Sequence, residues 1–181
     1  MNKLALALAS TALALSIPLT PAFATIETAE ARSAALEAAE QARYDMAEVF
    51  GDKQLKPGQY VWRDGVTEGA PRVIISLSDQ RAYLYRGDEL TAVATISSGT
   101  DEHPTPTGIF PILAKKPMYF SKKYDDAPMP HMQRLDSYGI AMHAGHNPGR
   151  PASHGCIRLP AKFAARLYGV TQVGSTVLIA A

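Results

Sequence analysis

Three short apolar runs between Val73 and Ile96 constrain the fold more than any other stretch. Val73-Ile74-Ile75-Ser76-Leu77 is apolar and β-branched, and a Ser78-Asp79-Gln80 turn separates it from Arg81-Ala82-Tyr83-Leu84-Tyr85. Arg86-Gly87-Asp88-Glu89 then leads into Leu90 to Ile96. Runs this short with turns of three or four residues predict an antiparallel meander. Tyr83 and Tyr85 fall on one face of their strand, where they are expected to pack the sheet. Further strand character is present at Gln59–Trp62, Ile109–Leu113, Gly139–Met142 and Val177–Ile179. Residues 160–168 read as a helix. Pro160 suits its first turn, Phe163 and Leu167 share a face, and Gly169 suits the cap. The expected class is mainly β with peripheral helices, a small curved sheet or sandwich.

The N-terminal part reads differently. Lys3 is the only charge in residues 1–24, Leu4 to Leu19 is largely apolar, and Ala22-Phe23-Ala24 fits a small-x-small cleavage site. This predicts a signal peptide over 1–24, and hence an exported protein of the periplasm or cell envelope with no stable membrane anchor. Residues 25–56 form a helix or spacer. Glu27 to Phe50 lacks Gly and Pro and is rich in Ala and Glu, with Leu36, Met46, Val49 and Phe50 as its large apolar residues. Pro57-Gly58 marks the start of a domain over 57–181. Without residues 1–24 the charges balance, and no basic tract points to nucleic acid.

Cys156 is the only cysteine of the 181 residues. In an exported chain an unpaired cysteine is either buried or reactive. Its surroundings favour reactivity. It sits in Ser153-His154-Gly155-Cys156-Ile157-Arg158, with His143 thirteen residues upstream. Attack by sulfur needs a base or a positive environment for the thiolate, and backbone N–H groups where the oxyanion forms. Gly155 lets the backbone turn sharply and come close to a carbonyl. His154 would share a face with Cys156 if the segment were extended. Arg158 can pair with a substrate carboxylate or with a structural acid. Ala114 to Tyr138 reads as a long irregular loop. Its Lys115, Lys116, Lys122 and Lys123, with Tyr119, Phe120, Tyr124 and Pro128-Met129-Pro130, suit a lid over an anionic peptide. His103, His131 and His146 read as non-catalytic.

His143 and the hexapeptide resemble the signature of the L,D-transpeptidase (YkuD-like) catalytic domain, whose members remodel bacterial peptidoglycan. Thr105-Pro106-Thr107-Gly108-Ile109-Phe110 is similar to the family's Thr-Pro-Thr-Gly turn. Residues 72–99 resemble its opening strands and 160–179 its closing helix and strand. The His143-to-Cys156 spacing is short for the family. The resemblance implies Cys156 as nucleophile and His143 as general base, oriented by a neighbouring backbone carbonyl. It also implies His154 as an orienting group, and Gly155 and Cys156 N–H groups as the oxyanion hole. Ser153, Arg158, Tyr124 and Met129 are the candidate substrate contacts.

The implied reaction opens a tetrapeptide stem at its L-to-D bond, releases D-alanine and passes the acyl group to a second stem. Water as acceptor would give a carboxypeptidase, and a protein lysine would tether that protein to the wall. No cofactor and no metal is implied, and carbapenems are expected to acylate Cys156. Two other classes fit some of these residues. His143, His146, His154 and Cys156 are zinc-ligand types, which would suit a metal hydrolase. A non-catalytic wall-binding module is the second.

Overall fold

A computed structural model describes residues 25–51 and 53–181. The expected signal peptide lies outside them. Among the described residues, no helix is long and apolar enough to cross a membrane.

The meander forms as expected. Strands β2 (Pro71–Ser76), β3 (Arg81–Arg86) and β4 (Glu89–Thr95) pair antiparallel in succession, and β1 (Tyr60–Trp62) adds to β4. The closing strand β10 (Thr176–Ala180) runs parallel to β2 and antiparallel to β5 (Gly108–Pro111). The six strands lie in the order β1-β4-β3-β2-β10-β5. A second sheet has the order β6-β7-β8-β9, from Ala114–Lys116, Met132–Arg134, Ala141–Ala144 and Ile157–Leu159. Residues 114–138 are therefore not one irregular loop, because Ala114–Lys116 and Met132–Arg134 within them are strands of this sheet.

Alternation explains why β2, β3 and β10 read as nearly continuous apolar runs: both faces of the large sheet are covered. Val73, Ile75, Leu84, Val177 and Ile179 face a core shared with Met142, Ile157 and Leu159 of the second sheet. Phe163 and Leu167 of α2 (Ala161–Val170) complete that core. Ile74, Tyr83, Tyr85 and Leu178 face the other way, against α1 (Ala29–Phe50). The helix α2 outruns the expected end. Gly169 lies within it, and Thr171 caps it by donating its N–H to the Leu167 carbonyl.

The helix α1 docks through a stripe of small residues, continued by the half-buried Met46 and Phe50. Ala31, Ala35, Ala39 and Ala42 are its buried residues, whereas Leu36 is 44% exposed. Spacings of three and four put these alanines on one stripe, and their small size lets the helix sit close on β2, β4, β5 and β10. Thr28 caps its start by accepting the Ala31 N–H, and Gly51 ends it at φ +69°.

Candidate active site

The two strands β8 and β9 assemble the site. They pair in parallel with Met142 opposite Ile157 and His143 opposite Arg158. Cys156, just before β9, thereby comes beside Ala141. The motif segment is also stitched to residues 97–100. Ser97 and Arg158 exchange backbone hydrogen bonds, Ser98 O accepts the Ala152 and Ser153 N–H groups, and Thr100 N donates to Ser153 O. Gln80 fixes Ser98 in turn: its Oε1 accepts the Ser98 N–H and its Nε2 donates to Ser98 Oγ.

The turn at Gly155 needs glycine. Its φ is +104°, and a Cβ would sit 2.6 Å from Ile140 Cδ1. His154-Gly155 is thus a bend, so the extended geometry expected to put His154 and Cys156 on one face does not occur. Thr105, in the Thr-Pro-Thr-Gly turn, donates its hydroxyl to Gly155 O at 2.8 Å and accepts the Gly99 N–H at 2.9 Å.

A cavity of about 520 Å³ opens above the bend. Cys156, His143, His154, Ser153, Arg158, Tyr124 and Met129 all line it, while Gly155 does not. His143 is buried on β8, and its Nδ1 lies 2.9 Å from Ala144 O. A carbonyl only accepts, so Nδ1 carries the proton and Nε2 is left as the base. The Cys156 thiol is half-buried and directed at Gly139 O, 3.7 Å away.

Burial pushes the His143 imidazole below its ordinary range, reinforced by the nearby Arg158 charge and opposed by the Ala144 carbonyl. Burial pushes the Cys156 thiol up, aided by Asp136 and opposed by the Ala141 N–H and Arg158. Both shifts favour the neutral forms, thiol and imidazole.

Ser153 is tied into the turn. Its buried hydroxyl donates to Cys156 O at 2.5 Å and accepts the Gly155 N–H at 3.1 Å. The hydroxyl braces the turn while Ser153 also lines the cavity. The same bond engages the Gly155 N–H expected in the oxyanion hole, which leaves the Cys156 N–H as the candidate donor. Arg158 has no acidic partner within ion-pair distance among the described residues. Lys115, counted among the lid cations, instead donates to Tyr168 O and Thr171 O at the end of α2.

His154 sits between two rings. Tyr124 stacks on it at 4.3 Å between centroids, and His103 lies 4.9 Å away. His146 lines the cavity, and His131 does not. No group of three His, Cys, Asp or Glu side chains among the described residues is placed to hold a metal ion.

Asp136 was not singled out in the sequence. It is buried, and its Oδ1 accepts the N–H groups of Tyr138, Gly139 and Ile140. This holds the loop that supplies both Gly139 O to the thiol and Ile140 to Gly155. The run Asp136-Ser137-Tyr138-Gly139 carried a usable signal, since Asp readily bonds backbone N–H groups a few residues on.

A buried imidazole with a fixed tautomer and a cysteine beside a glycine bend thus share one cavity of a two-sheet β domain. The chain belongs to the L,D-transpeptidase catalytic domain (YkuD) family, whose model matches residues 70–179. Its fold is that of an L,D-transpeptidase from Mycobacterium smegmatis, with TM-score 0.58 and 22% identity over 61% of this chain and 58% of that one. L,D-transpeptidase 1 from Mycobacterium tuberculosis matches with TM-score 0.55 and 22% identity over 62% of each chain. The Enterococcus faecium L,D-transpeptidase matches with TM-score 0.54 and 22% identity over 62% of this chain and 50% of that one. The matches thus span about three-fifths or less of those chains. No curated protein matches the sequence.

Proposed function

We propose that this protein is an exported, cysteine-dependent L,D-transpeptidase acting on tetrapeptide stems of peptidoglycan. The observation that carries the reading is the Ala144 carbonyl holding the Nδ1 proton of His143, in the cavity that also presents Cys156. The imidazole is thereby a ready base for the thiol of Cys156. Cys156 attacks the carbonyl of the bond between the diamino acid and the terminal D-alanine. The Cys156 N–H stabilises the oxyanion. His143 takes the thiol proton and returns it to the departing D-alanine amine. The thioester is then opened by an amine of a second stem, forming a 3→3 cross-link. Arg158, charged and without an ion-pair partner among the described residues, suits a carboxylate of the stem, and Tyr124 and Met129 line the peptide's path. A solved relative carries imipenem, which supports acylation of Cys156 by carbapenems.

The test is mass spectrometry of the protein with a disaccharide-tetrapeptide, wild type beside Cys156→Ala. A dimer lacking one D-alanine, made only by wild type, is expected. A tripeptide without dimer would assign a carboxypeptidase. No Cys156-dependent product would reject the thiol mechanism.

A further inference from the structure

Residues 117–131, between β6 and β7, form a hairpin that is bonded to itself. Ser121 N donates to Ala127 O, Met129 N to Tyr119 O and His131 N to Pro117 O, and Phe120 bridges to Pro128. Its base is anchored: Met129 and Tyr119 pack with Met132 and Ala141, and Pro130 O accepts the Ala144 N–H. The tip lacks such anchors. Among the described residues, no hydrogen bond and no ion pair joins residues 120–128 to the rest of the domain.

The tip nevertheless makes one wall of the cavity, through Ser121, Lys122, Tyr124 and Pro128. It meets the motif segment by a ring contact, with Tyr124 stacked on His154 at 4.3 Å and 17° between planes. His154 is itself exposed, so burial does not fix its ring. His103 backs it from 4.9 Å, with the planes tilted by 51°.

His103 stands on rigid backbone. Its N–H donates to Thr100 O, and a Cβ on Gly99 would come within 2.1 Å of its carbonyl oxygen. Thr105 ties the same turn to Gly155 O. His103 does not line the cavity, so it acts on a bound peptide only through His154 and Tyr124.

We propose that His103 is a positioning residue: it fixes the His154 ring as the platform on which Tyr124 latches the hairpin tip over the cavity. The inference rests on the acyl-transfer reading only for the identity of the peptide retained there. An aromatic pair is strong enough to shift a local open–closed equilibrium severalfold. Cys156 and His143 lie on or beside β8 and β9 and not on the hairpin. Loosening the tip therefore weakens binding and spares the chemistry.

Lys122 and Lys123 make the tip a trypsin site, and cleavage of a transiently opened segment follows its open population. The test is the rate of cleavage after these lysines in wild type, His103→Ala, His103→Phe, Tyr124→Ala and the Tyr124→Ala/His103→Ala pair, each checked for an unchanged melting temperature. His103→Ala is expected to speed cleavage about fivefold. His103→Phe, which keeps a ring, should restore the wild-type rate, and His103→Ala should add nothing in the Tyr124→Ala background. Wild-type cleavage in His103→Ala, no rescue by His103→Phe, or an additive effect in the pair would overturn the proposal. Turnover of the disaccharide-tetrapeptide is followed on the same proteins. KM is expected to rise by about the same factor with kcat within about twofold of wild type. A fall in kcat at constant KM would overturn the positioning role. Cleavage needs no turnover, so ring-dependent protection in a protein that releases no D-alanine would count against the acyl-transfer reading and not against the latch.

Discussion

His143 is held by its own neighbour: its Nδ1–H donates to the carbonyl oxygen of Ala144 at 2.9 Å. The orienting group is a backbone atom of the same strand, so no carboxylate is needed to set the tautomer. Burial disfavours charge on both His143 and Cys156, each on its own side of neutrality.

The pH dependence follows from those directions. The His143 pKa lies below 6.5, so the base is still available at pH 6.5, and acylation is expected to decline only on the more acidic side. The thiol pKa lies above 9.0, so alkylation of Cys156 by iodoacetamide is expected to keep rising beyond pH 9.0. A rate already level at neutral pH would reveal a thiolate–imidazolium pair. For stability, the unfolded chain takes up the histidine proton more readily than the folded one. Stability should therefore fall as pH drops through 6.5 towards the folded value.

Ser153→Ala removes the brace of the nucleophile turn. It leaves the buried Gly155 N–H without its acceptor and Cys156 O without its donor. An unsatisfied buried group costs about 1–3 kcal/mol, to be read by urea unfolding. Acylation by imipenem should slow markedly, because the bend that presents Cys156 is loosened. Unchanged acylation would show that the turn holds without this hydroxyl.

Lys115→Met tests the reassignment of a lid cation to a helix cap. The ammonium satisfies two carbonyls at the end of α2, where a positive charge also suits the helix dipole. A loss of about 1–2 kcal/mol is expected in unfolding, with acylation within about twofold of wild type. A large rise in KM for peptide with intact stability would return Lys115 to the substrate site.

Ala39→Leu tests the close docking of α1. Ala39 is 4% exposed against the large sheet. Extra methylenes in such a contact cost about 1–3 kcal/mol, measurable as a lower melting temperature. Leu36→Ala, on the exposed side, should change stability by less than about 0.5 kcal/mol.

Much of the fold was legible because its signals are local. The β2–β4 meander, α2 and the closing strand announce themselves through apolar runs and turn residues a few positions apart. Cys156, His143 and the Gly155 bend were legible for the same reason: residue type and short spacing mark them. What escaped depends on distant partners. The short strands β6 and β7 have only three residues each and no period to recognise. The buried stripe of α1 is alanine, which propensity reads as helix but not as interface.

The sequence alone determined the chemistry available, namely one thiol, a nearby histidine, a glycine turn and a β-rich framework to hold them. Tertiary structure decided the roles. The parallel register of β8 with β9 put His143 opposite Arg158. Packing against α2 took Lys115 out of the lid, and the bend turned Ser153 inward to the backbone. Hydrogen-bond register between segments far apart in the chain is set by global packing, and no local pattern of residues encodes it.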